Sequence, residues 1–421
     1  MMEKIRIRGG SDLSLKGNVR VSGSKNAVLP AIAASLLTEE KVRLENVPLV
    51  RDVYSMLTLV GELGADCDLR ENALEVRVKK LHREEASYDL VKVMRASILV
   101  LGPLVARFGK AVVALPGGCA IGSRPIDLHI AGLHKLGASI TLEHGYIKAE
   151  ASRLQGTEIH FEKTTVGGTE NVVMAASLAK GETILRNCAR EPEVQCLCEL
   201  LIKMGAKIDG IGEATIQITG VETLHGAVHE IIPDRIEAGT YMVAGALTKG
   251  DIVLCGVRPD HLITTIEKLR HSGSRVEVIE PDKIRVVGSA GIRPQDITTS
   301  PFPGFPTDMQ AQFMVLMTQA SGTSIITETI FDRRFQHVNE LLRLGASIDV
   351  SGDKAIVRGP TPLSGAEVTA SDLRASAGLL LAGLIAGGET IVNEVEHIDR
   401  GYEAIEAKLR LLGARIERIK D

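Results

Sequence analysis

Apolar and polar residues follow two patterns along this chain, one helix-like and one strand-like, and the two patterns alternate. Apolar, helix-like runs end at a small residue pair, as in Leu63-Gly64-Ala65. Each pair precedes an alternating run such as Ser139-Ile140-Thr141-Leu142, which predicts a strand. Glycine directly after a helical run favours the left-handed conformation that ends a helix. The chain is therefore predicted to contain helices and strands in regular succession.

The small pair recurs often enough to define a repeat. Its glycines are spaced 68 to 73 residues apart, at Gly64, Gly137, Gly205, Gly273, Gly345 and Gly413. A second glycine, 23 to 28 residues earlier, opens a β-branched run at Gly109, Gly181, Gly250, Gly322 and Gly388. The first unit has Glu40-Lys41-Val42 instead. Six units of about 70 residues thus account for nearly the whole chain.

The length of the units decides between two architectures. A solenoid is one possibility, but solenoid repeats usually run to about 20 to 50 residues. Units of this size can instead form small sheet-plus-helix bodies, and three of them can pack into a domain. We therefore predict an α/β fold with two three-unit domains, 25–232 and 1–24 with 233–421. The N-terminal strand around Ile5-Arg6-Ile7 is expected to belong with the second half.

Composition and charge narrow the functional classes. The 421 residues are 44% apolar and 24% charged, as in ordinary globular proteins. A net charge of -4 with mixed signs gives no broad basic surface, so no nucleic-acid partner is expected. No apolar stretch reaches the roughly 20 residues that span a bilayer, and the start lacks a signal-peptide segment. We expect a cytoplasmic protein without a membrane partner.

The cysteines are too sparse for a disulfide scaffold. There are six in 421 residues, and reduced thiols are expected. Cys196 and Cys198, with Cys188 nearby, could suggest a metal site. Cys-x-Cys without a second pair at ligand spacing is a weak metal signal, so core or surface packing is the preferred interpretation.

One cysteine stands in an unusual segment. Leu115-Pro116-Gly117-Gly118-Cys119-Ala120-Ile121-Gly122-Ser123-Arg124-Pro125 contains three glycines and two prolines, which exclude a regular helix or strand. The segment is predicted to be a loop in which Cys119 can meet solvent and substrate. An incidental thiol is the alternative. Arg124 favours the functional interpretation, because a nearby cation lowers a thiol pKa and attracts an anion.

Further charged residues lie in turns near the unit edges, where binding groups are common. The candidate cations are Lys25, Arg95, Arg124, Arg374 and Arg400, and the candidate acids are Asp308, Asp372 and Asp399. For the cations the alternative is a solvated surface charge, and for the acids it is a helix N-cap, which suits Asp308 especially well. A phosphate-binding Gly-x-x-x-x-Gly-Lys-Ser/Thr loop is missing, and so is a convincing dinucleotide fingerprint. ATP and NAD are therefore unsupported.

Four motifs together carry a family resemblance. They are Lys25-Asn26, the Cys119 loop through Arg124-Pro125-Ile126-Asp127-Leu128-His129, Phe305-Pro306-Thr307-Asp308-Met309-Gln310-Ala311-Gln312, and His397-Ile398-Asp399-Arg400-Gly401-Tyr402. In this order they resemble the UDP-N-acetylglucosamine enolpyruvyl transferases. The resemblance implies an inside-out α/β barrel with the active site in the cleft between two domains. It also implies transfer of enolpyruvyl from phosphoenolpyruvate to the sugar 3-hydroxyl in peptidoglycan synthesis, without a metal or organic cofactor.

The resemblance assigns roles residue by residue. Cys119 would donate a proton to the methylene carbon, and Asp308 would be a base or an orienting group. Lys25, Arg124 and Arg400 would hold phosphoenolpyruvate, and Asn26 would contact the transferring group. The nucleotide-sugar pocket would be lined by Arg95, Arg124, Pro125, Ile126, Asp127, Leu128, Lys163, Thr165, Val166, Gly167 and Ile330. Asp372 and Arg374 are further substrate-binding candidates.

Two other functions compete with this one. A transferase acting on phosphorylated shikimate would share the six-unit fold, but its resemblance lacks the Cys119 loop. A non-enzymatic, nucleotide-sugar-binding repeat protein would not need Cys119, Asp308 and Arg400 together. Phosphate release with each acceptor would distinguish these functions.

Overall fold

Six four-stranded sheets dominate the fold, one for each sequence unit. The computed structural model describes residues 3–83, 85–86, 88–91, 94–115 and 126–420. The first residues form two strands, β1 (Glu3–Gly9) and β2 (Lys16–Arg20).

The elements of the first three units follow. The helices are α1 (Lys25–Ala34), α2 (Arg51–Leu63), α3 (Tyr88–Val91), α4 (Leu101–Phe108), α5 (Asp127–Lys135), α6 (Val166–Ala176) and α7 (Pro192–Lys203). The strands are β3 (Val42–Glu45), β4 (Asp66–Arg70), β5 (Ala73–Arg77), β6 (Glu85–Ala86), β7 (Lys110–Ala114), β8 (Ser139–Glu143), β9 (Tyr146–Glu150), β10 (Glu158–His160), β11 (Glu182–Arg186), β12 (Lys207–Asp209), β13 (Thr215–Thr219) and β14 (Val228–Glu230).

The last three units repeat the scheme. Their helices are α8 (Arg235–Leu247), α9 (Ile263–Ser272), α10 (Gln310–Thr318), α11 (Val338–Arg343), α12 (Leu373–Ile385), α13 (Glu396–Asp399) and α14 (Ile405–Leu411). Their strands are β15 (Asp251–Cys255), β16 (Arg275–Glu280), β17 (Lys283–Val287), β18 (Ile297–Thr298), β19 (Gly322–Thr327), β20 (Ser347–Ser351), β21 (Lys354–Gly359), β22 (Glu367–Thr369), β23 (Gly388–Asn393) and β24 (Ile416–Lys420).

All six sheets share one strand order, with a parallel pair at one edge followed by two antiparallel partners. Strands distant in sequence complete three of them. β14 pairs with β3, β2 pairs with β15, and β1 lies between β23 and β24. The N-terminal strands therefore belong to the sheets of the fourth and sixth units.

Each unit also contains one helix that is buried on nearly every side. Twelve of the thirteen residues of α8 are buried, and so are all nine of α10. These helices are rich in alanine, glycine and aliphatic residues, so their backbones can approach closely. The other long helices, such as α2, bury one stripe only. The start of each buried helix positions the candidate site.

The glycines of the first set follow helices in a left-handed conformation, as predicted, and four of the five glycines in the second set also have positive φ. Gly64, which ends α2, has φ 116°, and the other five glycines of the first set have φ between 94° and 111°. In the fourth unit the left-handed residue is Lys249, at φ 50°, rather than Gly250. Gly250 is small for another reason, because a Cβ there would lie 2.4 Å from the Leu15 carbonyl oxygen.

The described residues divide into two compact units, each with its own hydrophobic core. One comprises 23–115 and 126–232, and the other comprises 3–22 and 233–420. The predicted cleft active site stays a prediction. Across these described parts of the chain, none of the helices is both long and apolar enough to span a bilayer.

Candidate active site

Most of the predicted site residues lie at the beginning of a buried helix. Lys25 is the first residue of α1, and Thr165 is the N-cap of α6. Asp308 stands in the 3-10 turn before α10, and Asp372 is the N-cap of α12. Unpaired backbone N–H groups and the helix dipole make such positions favourable for anions. Candidate residues from several repeat units therefore occupy equivalent positions, each at the start of a helix.

Lys25 is paired with a residue that sequence reasoning missed. Its Nζ lies 3.0 Å from Oδ2 of Asp52, and the two side chains are 13% and 1% exposed. Asp52 stands in the first turn of α2, which packs against α1. A buried carboxylate fixes the ammonium in place, while the remaining exposure of Lys25 lets it reach a ligand. Asn26, next in α1, is half-buried.

A second group in the same unit centres on His129. Its Nδ1 lies 3.0 Å from Nδ2 of Asn171, which joins α5 to α6. A Cβ added to Gly167 would lie 3.2 Å from the His129 ring, so a larger residue would crowd the imidazole. Burial, together with the nearby Arg95 cation, lowers the pKa of His129 to about 4. The imidazole is neutral at pH 7, and Arg95 is close to the starts of α5 and α6.

The remaining pocket candidates of this unit occupy the same two helix starts. Ile126 precedes α5, and Asp127 and Leu128 are its first residues. Lys163 is exposed before α6, where the Thr165 hydroxyl accepts a hydrogen bond from the Gly168 N–H at 3.2 Å. Val166 opens α6 with its side chain 36% exposed. Since α5 and α6 pack together, these side chains can line one polar pocket.

Asp308 is held between two buried arginines. Its Oδ1 accepts from Nη2 of Arg334 at 3.0 Å, and its Oδ2 accepts from Nε of Arg374 at 3.1 Å. The arginine side chains are only 4% and 3% exposed, whereas Asp308 is 25% exposed. The N-cap interpretation of Asp308 is wrong, because no side chain caps either the 3-10 turn or α10. The carboxylate instead belongs to a group of three side chains with a net positive charge, and it is the most exposed of the three.

Arg374 connects this group to the segment that carries Arg400. Its guanidinium lies over the Tyr402 ring, 5.3 Å from the centroid. Burial alone would lower the pKa of Arg374, but the Asp308 carboxylate and the Tyr402 hydroxyl raise it well above its usual value. Tyr402 is itself buried, with its hydroxyl 3.0 Å from Oγ1 of Thr240. Arg400 stands two residues before it, half-buried at the end of α13.

Asp372 and Ile330 have structural contacts that bear on their predicted roles. Asp372 caps α12 by accepting from the N–H groups of Arg374 and Ala375, at 2.9 and 3.0 Å, as the N-cap alternative predicts. Ile330 is 37% exposed, and its N–H donates to the buried Glu328 carboxylate at 2.8 Å. Glu328 also accepts from Thr307, which is adjacent to Asp308. The Ile330 segment is thereby tied to the Asp308 turn.

The loop with Cys119, Arg124 and Pro125 lies outside the described residues, so its predicted roles stay predictions. Three of the cysteines at described positions are poor nucleophiles. Burial raises the pKa of Cys67 to about 11, and it raises those of Cys188 and Cys198 to about 12. Cys196 is buried against His229, 3.2 Å from Nε2. Among the described residues, no group of three or more His, Cys, Asp or Glu side chains is arranged to hold a metal ion.

Sequence reasoning missed the partners that orient the candidate groups. Asp52, Arg334 and Glu328 are buried or nearly so, and each contacts a residue at least 21 positions away. None lies in a glycine-rich or repeated motif. A signal existed only for Asp52, since a charged residue on the apolar face of a helix requires a partner.

The comparisons with known proteins first define a class. The sequence profile of EPSP synthase (3-phosphoshikimate 1-carboxyvinyltransferase) matches residues 9–409. The chain belongs to this family of enolpyruvyl transferases. The solved structure of the enolpyruvyl transferase NikO from Streptomyces tendae has a TM-score of 0.89 and 27% identity, covering 100% of this chain and 99% of that one. EPSP synthase from Acinetobacter baumannii has the same fold at 20% identity, with a TM-score of 0.76 and coverage of 99% and 100%. The predicted fold class is confirmed.

Among the most similar relatives, the name is more specific. UDP-N-acetylglucosamine 1-carboxyvinyltransferase of Koribacter versatilis (strain Ellin345) is 60% identical over 422 residues, covering 99% of this chain and 97% of the relative. The protein of that name in Desulforapulum autotrophicum is 56% identical over 420 residues, covering 100% of both. The resemblance inferred from the four motifs is confirmed.

Proposed function

We propose that this chain transfers the enolpyruvyl group of phosphoenolpyruvate to the 3-hydroxyl of UDP-N-acetylglucosamine, releasing phosphate in the first committed step of peptidoglycan synthesis. One observation carries the proposal. Five relatives, 54–60% identical over 99% or more of this chain, bear the name of that transferase. A cytoplasmic location is part of the proposal, because both substrates are cytoplasmic metabolites.

The reaction requires two opposed proton transfers. The sugar hydroxyl oxygen bonds to C2 of phosphoenolpyruvate while C3 gains a proton, which gives a tetrahedral adduct. Loss of a C3 proton and departure of phosphate then restore the double bond. Cys119 is assigned the proton donation to C3, and Asp308 accepts or orients the hydroxyl proton. The 25% exposure of Asp308 between two buried arginines supports this role, because the carboxylate is fixed yet accessible.

Binding of phosphoenolpyruvate requires cations that match its phosphate and carboxylate. Lys25, Arg124 and Arg400 are assigned to it, with Asn26 at the transferring group. The Lys25–Asp52 pair supports this assignment, since the ammonium is already oriented before a ligand arrives. Preorganised cations stabilise the developing charge without reorganisation during the reaction. No cofactor takes part in the proposed steps.

The nucleotide sugar is assigned to the starts of α5 and α6 and to two segments outside them. In one unit, Arg95 and the exposed Lys163 supply cations beside helix N-termini, which suits a diphosphate. In the other unit, Ile330, Asp372 and Arg374 adjoin Asp308. The loop residues Arg124 and Pro125 complete the assignment.

Phosphate release tests the proposal directly. The purified chain is incubated with phosphoenolpyruvate and either UDP-N-acetylglucosamine or phosphorylated shikimate, and inorganic phosphate and the enolpyruvyl product are measured. Phosphate release is expected when UDP-N-acetylglucosamine is the acceptor and not when phosphorylated shikimate is. Release with phosphorylated shikimate alone would reverse the assignment, and binding of the UDP-sugar without release would favour a non-enzymatic protein.

A further inference from the structure

The turn that carries Arg400 has an unfavourable backbone conformation. It runs from the end of α13 at Asp399 to the start of α14 at Ile405. Ala404, the N-cap of α14, has φ 47° and ψ 48°. The left-handed region is unfavourable for a residue with a Cβ. Contacts elsewhere must therefore hold this turn.

Arg418 makes contacts on both sides of the turn. Its Nη1 and Nη2 donate to the two carboxylate oxygens of Asp399, at 2.9 and 2.6 Å. Its Nε donates to Oε1 of Glu406 at 3.0 Å. Asp399 immediately precedes Arg400, and Glu406 follows Ala404 by two residues. One guanidinium on β24 thus joins the last residue of α13 to the first turn of α14.

Tyr402 holds the middle of the same turn from the buried side. Its hydroxyl lies 3.0 Å from Oγ1 of Thr240 and 3.3 Å from Nε2 of Gln312. Ile398 and Ile405, on either side of the turn, are also buried, and Arg418 adds polar contacts at both ends. The bidentate Asp399 contact is the kind that fixes direction as well as distance. Arg418 therefore helps to fix the backbone on both sides of Arg400.

We propose that Arg418 is a positioning residue for phosphoenolpyruvate binding, acting through Asp399 and Glu406 on the turn that presents Arg400. The inference rests on the proposed function, since it takes Arg400 as a ligand of that substrate. Arg418 itself does not touch the substrate. Its loss should weaken binding of phosphoenolpyruvate more than that of the nucleotide sugar, because Asp399 directly precedes Arg400, which is assigned to phosphoenolpyruvate alone.

The test compares Arg418→Met with a matched control. Methionine keeps much of the aliphatic length and removes all five donors. Arg415→Met is the control, because Arg415 lies three residues earlier and pairs with Asp12 at 3.0 Å on an exposed surface. Arg418→Met is expected to raise KM for phosphoenolpyruvate about tenfold, within the range expected from misplacing a binding group. KM for UDP-N-acetylglucosamine should stay within about twofold, and the control should behave as the unmodified chain.

A second pair of variants separates positioning from simple destabilisation. Asp399→Asn removes one of the three carboxylate charges that Arg418 contacts, the one next to Arg400, and it should raise the same KM with a smaller change in thermal midpoint. In an Arg400→Lys background, Arg418→Met should have an effect reduced to about threefold or less, because residues acting through one group are not additive. Arg418→Lys, which can keep one contact, should be intermediate.

The outcomes distinguish this inference from the proposed function. A folded Arg418→Met variant with unchanged KM for phosphoenolpyruvate would overturn the positioning role. Equal rises in both KM values with a lowered thermal midpoint would also overturn it, because they indicate a general loss of structure. If Arg400→Lys leaves KM for phosphoenolpyruvate unchanged, the role of Arg400 in the proposed function is wrong instead.

Discussion

Asp308 and its two arginines carry a net positive charge although they are largely withdrawn from solvent. Within the described part of the chain, Nη1 and Nη2 of Arg374 and Nη1 of Arg334 are buried without a hydrogen-bond partner. Buried donors without acceptors are unfavourable, so natural structures seldom retain them without a function. A substrate oxygen beside Asp308 would satisfy them. The arrangement favours an anionic or hydroxyl-rich ligand at this point.

Cys119→Ala is expected to abolish turnover while the fold is kept. A thiol in a glycine-rich loop contributes little to core packing, but a methyl group cannot donate a proton. Cys119→Asp should retain part of the activity, because a carboxylic acid can donate one. Initial rates of phosphate release and thermal unfolding curves check both statements. Near-normal turnover by the alanine variant would remove Cys119 from the mechanism.

Alkylation should distinguish Cys119 from the other cysteines. The epoxide fosfomycin carries a phosphonate that suits the proposed phosphate cations, and we expect it to label Cys119, faster with UDP-N-acetylglucosamine present. Cys67, Cys188 and Cys198 should stay unlabelled near pH 7.5, because burial holds their pKa values at about 11 to 12. Peptide mass analysis locates the label. Modification of Cys67, the half-buried internal control, in place of Cys119 would contradict the assignment.

The sequence could supply candidate groups at residue scale but not the partners that orient them. Lys25 was visible in a glycine-containing turn, whereas Asp52 lies in an ordinary amphipathic helix. Asp308 was visible too, but its N-cap interpretation failed because Arg334 and Arg374 compete for its oxygens. Those arginines are 26 and 66 residues away. Pairing over such distances follows from tertiary packing, which a local motif does not encode.

At the scale of elements, the buried helices are joined to their neighbours by a few polar side chains. The His129–Asn171 contact between α5 and α6 is the clearest example. Local signals did predict where amphipathic helices such as α2 and α9 end, because glycine is the residue that best adopts a left-handed conformation. They could not predict which helices are buried all round, since that depends on how three units pack together.

The stability of the 23–232 unit should decrease as the pH is lowered, because His129 is buried in its neutral form. Its pKa is lowered to about 4 in the fold, whereas an unfolded histidine titrates near 6.5. Above pH 6.5 both states are neutral and the histidine has no effect. Below that, the unfolded state binds the proton first, so stability decreases down to about pH 4. Urea unfolding at pH 7.5, 5.5 and 4.5 measures the decrease.

His129→Gln should make the decrease of stability at acidic pH less steep, since glutamine can still contact Asn171 but does not titrate. The matched control is His134→Gln, on the same helix but more exposed. A slope in the His129→Gln variant equal to that of the unmodified chain would assign the acid sensitivity to other groups.

At the scale of the whole molecule, the chain passes between its two compact units near residues 22 and 232. Its N-terminal strand is internal to a sheet rather than at an edge, because β1 pairs with both β23 and β24. Ile5 is fully buried there, while Lys4 points outward. The integrity of the 233–420 region thus depends on residues at the opposite end of the sequence.

Ile5→Asp is therefore expected to destabilise one unit selectively. A carboxylate buried between β23 and β24 without a partner should lower stability by several kcal/mol, of the order seen for unpaired buried charges. Hydrogen exchange followed by mass spectrometry should show faster exchange in β22, β23 and β24, with β7, β11 and β13 still protected. Lys4→Gln, one position away on the outer face, should leave both units protected. Equal loss of protection in both units of the Ile5→Asp variant would show that they unfold as one cooperative body, because damage confined to one core would then have spread to the other.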